Sequence, residues 1–332
     1  MQLIEGGSPS GGGSLRVVHT TAALTDLRDE LSTGQPRPTV ALVATMGALH
    51  AGHRSLIRIA RSIADIVVVS VFVNPLQFGP DEDYARYPRT LDDDIETCRG
   101  EDVDVVFAPS VAEMYPAGRQ VTVSSGQLGS VLEGRTRAGH FDGVLTVLTK
   151  LFNLVQPDKA LLAQKDAQQV AVVRKMVADL NVDVDIIAGP IVRDNDGLAL
   201  ATCNRYLLPH ERTSALALST ALRAAARHPT VAAAMAAARA VVVAAEHNPI
   251  FRLDYLVVVH PQTFCELADD YVGPGLLLVA AFVSGTRLLD NAELSFSATA
   301  SGYQDVHHFR DGDDRVRDDE VELERVPAPV LG

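Results

Sequence analysis

Five short strand-like segments rich in apolar residues, at 40–43, 66–73, 103–107, 159–162 and 182–187, alternate with segments whose apolar residues recur at helical spacing, at 22–31, 55–62, 91–99, 144–154 and 168–180. Runs of that length read as buried strands, and strands separated by helices pair in parallel through crossover connections. The expected architecture is therefore α/β: a Rossmann-like doubly wound parallel sheet over 15–190, with its ligand crevice at the carboxyl ends of the strands. The texture changes near Ile191. An Ala-rich helical stretch at 214–245 precedes apolar runs at 253–259 and 276–282, which predicts a smaller α+β C-terminal domain over 191–296. The Gly/Ser-rich start, 1–14, reads as a flexible leader, and the acidic end, 297–332, as a disordered tail.

With 332 residues, 47% of them hydrophobic and 21% charged, the chain has enough apolar material for two cores. A net charge of -13 argues against a nucleic-acid or membrane surface, which needs clustered Lys and Arg. An anionic substrate must then be met by local positive groups. Cys98, Cys203 and Cys265 have neither metal-site spacing nor an even count, which fits a reducing, cytoplasmic setting. No run is long enough to predict a membrane span.

The chemistry concentrates after the first strand. Thr45-Met46-Gly47-Ala48-Leu49-His50-Ala51-Gly52-His53 follows the run 40–43 and leads into a helix. Free N–H groups and the positive dipole end at a helix N-terminus attract an anion, and two imidazoles three residues apart can add hydrogen bonds as negative charge builds. Each His could instead serve only as a cap or a packing group. Lys165-Asp166 at the end of another buried strand offers a compact cation, while Asp166 could equally cap the helix that follows. Three consecutive acids, Asp92 to Asp94, suit either a solvated helix face or a hard cation such as Mg²⁺.

Several further blocks share the order found in the pantoate–β-alanine ligases, adenylate-forming members of the His-x-Gly-His nucleotidyltransferases. They are Phe72-Val73-Asn74-Pro75-Leu76-Gln77-Phe78, Tyr87-Pro88-Arg89-Thr90-Leu91-Asp92-Asp93-Asp94 and Arg137-Ala138-Gly139-His140-Phe141-Asp142-Gly143-Val144. Lys165-Asp166-Ala167-Gln168-Gln169, Asp196-Gly197-Leu198-Ala199, Asn204-Arg205-Tyr206-Leu207 and Thr286-Arg287-Leu288-Leu289-Asp290-Asn291 follow. The chain resembles that family from about Val40 to Asn291.

The resemblance implies ATP-dependent condensation of pantoate with β-alanine through a pantoyl adenylate, releasing pyrophosphate and then AMP. It implies His53, His50 and Lys165 as catalytic groups, with His53 the candidate proton donor. Met46, Gly47, Ala163, Gln164, Asp166, Val192, Leu200, Ala201, Thr202 and Cys203 would join them around ATP. Gln77 and Gln169 would hold pantoate, as amides that both donate and accept suit a diol. Asn74 and Arg137 would line that site, with His140 a weaker candidate, and Asp93 would take Mg²⁺. A homodimer is also implied.

The chain departs from the family where phosphate is gripped. The usual Pro residues are Ala44 and Ala138, and Phe-Gly-Glu-Lys-Asp becomes Leu162-Ala163-Gln164-Lys165-Asp166, with a methyl group where Gly allows close approach. Ser-Ser-Arg-Asn becomes Ala201-Thr202-Cys203-Asn204, so a cation and a hydroxyl are lost. Two other readings accommodate these changes: a paralogous ligase using a different acid or amine, and a nucleotide- or acid-binding protein without turnover.

Overall fold

The structure, a computed structural model, describes residues 14–31, 33, 36–79, 84–116 and 120–298. The leader, apart from Ser14, and the tail beyond residue 298 lie outside the described residues.

Six strands form the larger sheet: β1 (Arg16–Val18), β2 (Val40–Thr45), β3 (Ile66–Val71), β4 (Val105–Phe107), β5 (Lys159–Ala163) and β6 (Asp185–Gly189), in the order β1-β4-β3-β2-β5-β6. Every pairing is parallel. Between them run α1 (Thr21–Leu31), α2 (Ala51–Ile63), α3 (Leu91–Arg99), α4 (Val111–Met114), α5 (Glu133–Thr136), α6 (His140–Val155) and α7 (Ala167–Asp179). Because side chains alternate across a strand, Leu42 packs into one core with Leu145 and Leu148 of α6. Ala41 and Val43 enter another with Ile57 and Ala60 of α2. All three strand residues are fully buried, so β2 is an unbroken apolar run.

From β2 the chain builds outward through β3 and β4 on one side, and β5 and β6 lie on the other. The order therefore switches between β2 and β5, which pair at Ala41–Lys159, Leu42–Ala160 and Val43–Leu161. Ligands of such sheets bind in the crevice beyond that junction. The residues leaving β2 lead to His50, and those leaving β5 are Gln164-Lys165-Asp166.

The second sheet is antiparallel, with β7 (Phe251–Val259), β8 (Gly273–Val283) and β9 (Thr286–Phe296) in that order. It is backed by α8 (Pro209–Ala215), α9 (Ala217–Ala225) and α10 (Val231–Glu246). The expected helical stretch is thus split. Between α9 and α10 stand Pro229 and Thr230, and the Thr230 hydroxyl accepts the Ala233 N–H at 3.3 Å to start a new helix. Two strands were not anticipated: β1 is three residues long, and β9 interleaves Arg287, Asp290 and Glu293 with its apolar positions. α2 begins at Ala51 rather than Ser55, because the two histidines close its first turn.

Candidate active site

Beyond the carboxyl ends of the parallel strands opens a cleft of about 1230 Å³, roofed by the loop 190–204 and by β8 and β9. It exceeds the roughly 300–1,000 Å³ common for one small ligand. His50 and His53 line its floor. The Gly52 N–H donates to His50 Nδ1 at 3.1 Å, and the His50 N–H donates to His53 Nδ1 at 3.3 Å. With both Nδ1 atoms accepting, each neutral ring carries its proton on Nε2. The rings lie 4.1 Å apart, centroid to centroid. A Cβ at Gly52 would stand 2.9 Å from His50 Cε1, so only glycine lets the N–H reach the ring.

Burial lowers the pKa of His50 to about 4, with help from the nearby Lys165 and Arg205 charges, and that of His53 to about 3, where His50 adds to the effect. Both are neutral donors at pH 7. Opposite them, Lys165 Nζ donates to Asp166 Oδ1 at 3.1 Å. Burial opposes the ammonium charge, but the Asp166 carboxylate more than offsets it and leaves the Lys165 pKa above its usual value. Asp166 is likewise disfavoured by burial yet held below the carboxylate range, chiefly by Lys165. The turn carrying this pair is clasped by the second sheet: Asn291 Nδ2 donates to the Gln164 and Lys165 carbonyls at 3.0 and 2.9 Å.

Gln77 and Gln169 both line the cleft. Asn74 does not; it is buried behind Gln77, where its Nδ2 donates to Gln77 Oε1 at 2.9 Å and to the Gly143 carbonyl at 3.1 Å. Its Oδ1 accepts the Tyr115 hydroxyl at 2.9 Å. Asn74 therefore orients Gln77, leaving the amide NH₂ of Gln77 for a ligand. Arg137 lines the cleft with one nitrogen 3.0 Å from His140 Nε2, and His140 Nδ1 lies 2.9 Å from the Gln77 carbonyl oxygen.

Met46, Ala163, Asp166, Val192, Leu200, Ala201, Thr202 and Cys203 also reach the cleft. Gly47 does not line the cleft but sits within the turn, facing Asp94, and Gln164 is directed to Glu293 at 3.3 Å. Asp93 is exposed on α3 and lines no part of the cleft, whereas its neighbour Asp94 is buried against the histidine turn. Among the described residues no three His, Cys, Asp or Glu side chains gather as a metal site would require. Cys203 Sγ contacts the Arg287 carbonyl at 3.9 Å, and burial raises its thiol pKa despite the Lys165 charge.

Sequence reasoning missed a buried ionic knot at the cleft edge, where Arg287 pairs with Glu133 and Asp254 and the Tyr255 hydroxyl donates to Glu133 at 2.6 Å. Its members are far apart in the chain, and only the Arg287 block had drawn notice.

A parallel sheet whose switch point holds a helix N-terminus, two Nε2–H imidazoles and a partly buried lysine is the architecture of a nucleotide-using α/β enzyme. The comparisons with known proteins narrow the class. The profile of the family described as Pantoate-beta-alanine ligase matches residues 16–293. A pantothenate synthetase of Thermobifida fusca is 55% identical over 287 residues, 83% of this chain and 97% of that protein. The crystal structure of pantothenate synthetase from Thermus thermophilus superimposes with a TM-score of 0.77 at 45% identity, covering 83% of this chain and 98% of the other. The pantoate-beta-alanine ligase of Francisella tularensis, complexed with beta-gamma ATP and beta-alanine, gives 0.69 at 31% identity over 84% and 97%. This chain belongs to the pantoate–β-alanine ligase family and is an ATP-using ligase.

Proposed function

We propose that the cleft binds ATP with its phosphates between the N-terminus of α2 and Lys165, seats pantoate against Gln77 and Gln169, and condenses it with β-alanine. The observation that carries this reading is that two histidines of fixed tautomer, a partly buried lysine and the two glutamine amides all line one cleft.

A carboxylate is a poor electrophile toward an amine. In the first step a pantoate carboxylate oxygen attacks the α-phosphorus of ATP, the bond to pyrophosphate breaks, and a pantoyl adenylate forms. His50 and His53 donate hydrogen bonds from Nε2 to the phosphoryl oxygens as charge accumulates. Lys165 neutralises charge as an ammonium. In the second step the β-alanine amine attacks the acyl carbon, the amide forms, AMP leaves with the bonding pair, and the amine proton is lost to solvent or a nearby base. Arg137 offers a cation for the β-alanine carboxylate. The main rate gain comes from holding the two anions and the amine in register, and the roof over the cleft protects the mixed anhydride from water.

Among the described residues no three His, Cys, Asp or Glu side chains gather, so Mg²⁺ would be held chiefly through the substrate phosphates and its own waters, where it would neutralise phosphate charge. We place the protein in the cytosol, in line with its three free thiols, and, as the family resemblance implies, as a homodimer. No helix among the described residues is long and apolar enough to cross a membrane.

The test is pantoate-dependent release of pyrophosphate and AMP from ATP, with and without β-alanine, with the product weighed by mass spectrometry. Pantothenate with one AMP per amide is the expected result. Cys203, where the family carries a cation, favours a second reading in which the adenylate goes to another amine. Pyrophosphate–ATP exchange without pantothenate would select it.

A further inference from the structure

The turn that delivers the two histidines is built from backbone that side chains resist. Gly47 has φ +79 and Ala48 has φ +52, both left-handed, and Ala48 is buried. An alanine does not hold that conformation unaided.

What holds it is Asp94. This carboxylate from the first turn of α3, 2% exposed, accepts the Ala48 N–H at 3.0 Å on one oxygen and the Leu49 N–H at 2.7 Å on the other. The Thr90 hydroxyl adds a longer contact at 3.4 Å. A Cβ at Gly47 would stand 2.9 Å from Asp94 Oδ2 and 3.0 Å from Val71 Cγ1, so the carboxylate sits directly under the turn. Its neighbours Asp92 and Asp93 face solvent. The segment just after α3 braces α2, the helix that the turn leads into: Glu101 accepts Arg54 Nε at 2.5 Å and Arg58 Nε at 2.7 Å. The histidines thus stand on a turn clamped from outside the cleft.

We propose that Asp94 is a positioning residue for adenylate formation: its two carboxylate oxygens fix the left-handed turn at Ala48 and Leu49 and thereby set the stance of His50 and His53 toward the phosphates. The inference rests on the reading of those histidines as phosphate donors. The carboxylate suits the turn because it presents an acceptor to each N–H, whereas an amide presents one acceptor and one opposing donor. Asp94 itself does not line the cleft, so its influence passes through the turn.

The experiment compares Asp94→Asn with the Asp94→Asn, Ala48→Gly double variant in pantoate-dependent ATP–pyrophosphate exchange. The Asn variant should lose at least tenfold in kcat with little change in KM for pantoate, whose glutamines Asp94 does not touch. Glycine adopts a positive φ without strain, so the double variant should recover most of that loss. A role confined to packing α3 would not be rescued from within the turn. Histidine-selective nitrogen NMR reads the same clamp without turnover: His50 and His53 should be Nε2–H tautomers in the parent, mixed in Asp94→Asn, and restored by Ala48→Gly. Should the Asn variant fail to fold, Asp94→Glu keeps the charge, displaces the turn, and serves in its place. Unchanged kcat and tautomers, or losses that glycine does not reverse, would overturn the proposal. A parent protein inactive with pantoate but with the expected tautomer shifts would sink the ligase reading and leave the clamp standing.

Discussion

Arg287 of β9 grips Glu133 of α5 with both terminal guanidinium nitrogens, each 2.6 Å from a carboxylate oxygen, at the seam between the antiparallel sheet and the parallel-sheet layer. The same guanidinium reaches Asp254 of β7 at 2.6 Å, and Asp254 also accepts the Thr136 hydroxyl at 2.9 Å. Hydrogen bonds to the two carboxylates hold the Arg287 pKa above its usual value even though burial opposes the charge. Since Arg137 follows α5 directly, the knot fixes one wall of the cleft as well as the seam.

Removing one partner of such a pair leaves a poorly solvated charge. Glu133→Gln should therefore destabilise the protein by about 3 kcal/mol, at the low end for a broken buried pair because Asp254 remains on Arg287. Tyr255→Phe, which deletes only the hydroxyl bonded to Glu133, should cost about 1.5 kcal/mol. Urea unfolding monitored by circular dichroism measures both, and equal losses would mean that the charge on Glu133 contributes nothing.

The depressed histidines give a pH signature. In the unfolded chain an imidazole has its ordinary pKa of 6.5, while the folded values are about 4 for His50 and about 3 for His53. Below pH 6.5 the unfolded state binds more protons, so stability falls as pH drops through 6.5 and levels only near 4 and 3. His53→Gln should flatten that fall in a melting-temperature profile. A bound triphosphate raises both values, so ATP binding at pH 6 should take up protons. Calorimetry in two buffers of different ionisation heat reads the uptake, and a binding heat independent of buffer would argue against imidazoles facing the phosphates.

Cys203 stands where the family carries an arginine. Because Cys203 lines a wide cleft, Cys203→Arg has room to reach the phosphates. One restored charge-assisted hydrogen bond is worth about 1.5 to 3 kcal/mol, so KM for ATP should fall roughly tenfold or more. An unchanged KM in steady-state assays would show that other groups already grip the phosphates. In the parent, iodoacetamide should modify the exposed Cys265 well before Cys203, whose thiol pKa is raised by burial.

What the sequence disclosed and what it concealed follow from one physical difference. β2 and β5 were legible because strands buried on both faces are continuous apolar runs, and the residues leaving them carry His50, His53 and Lys165. β9 was hidden because it is mixed: Leu288 is buried and Asp290 is buried with it, paired at 2.6 Å to Arg193, a residue nearly a hundred positions away. Asp93 and Asp94 are indistinguishable by type and spacing. Only the packing of α3 against the histidine turn decides that one faces water and the other accepts two N–H groups. Asn74 drew attention as a ligand by its motif, yet its four hydrogen bonds are all spent within the protein.

That arrangement yields a prediction about pantoate. Asn74 Nδ2 donates to both Gln77 Oε1 and the Gly143 carbonyl, so Oε1 of Gln77 is engaged and its NH₂ is turned to the cleft. Asn74→Ala removes the donor that holds Gln77 Oε1 and frees the Gln77 amide to rotate, so KM for pantoate should rise while KM for ATP holds. Asn74→Asp goes further: a carboxylate faces two carbonyl oxygens, and the relief is a half-turn of Gln77 that presents Oε1 where the NH₂ had been. A diol can still donate to that oxygen, but the pantoate carboxylate is then repelled, so the Asp variant should bind pantoate more weakly than the Ala variant. Steady-state kinetics with each substrate varied separately checks the order. An Asp variant no worse than Ala would mean that the orientation of Gln77 is set by something other than Asn74.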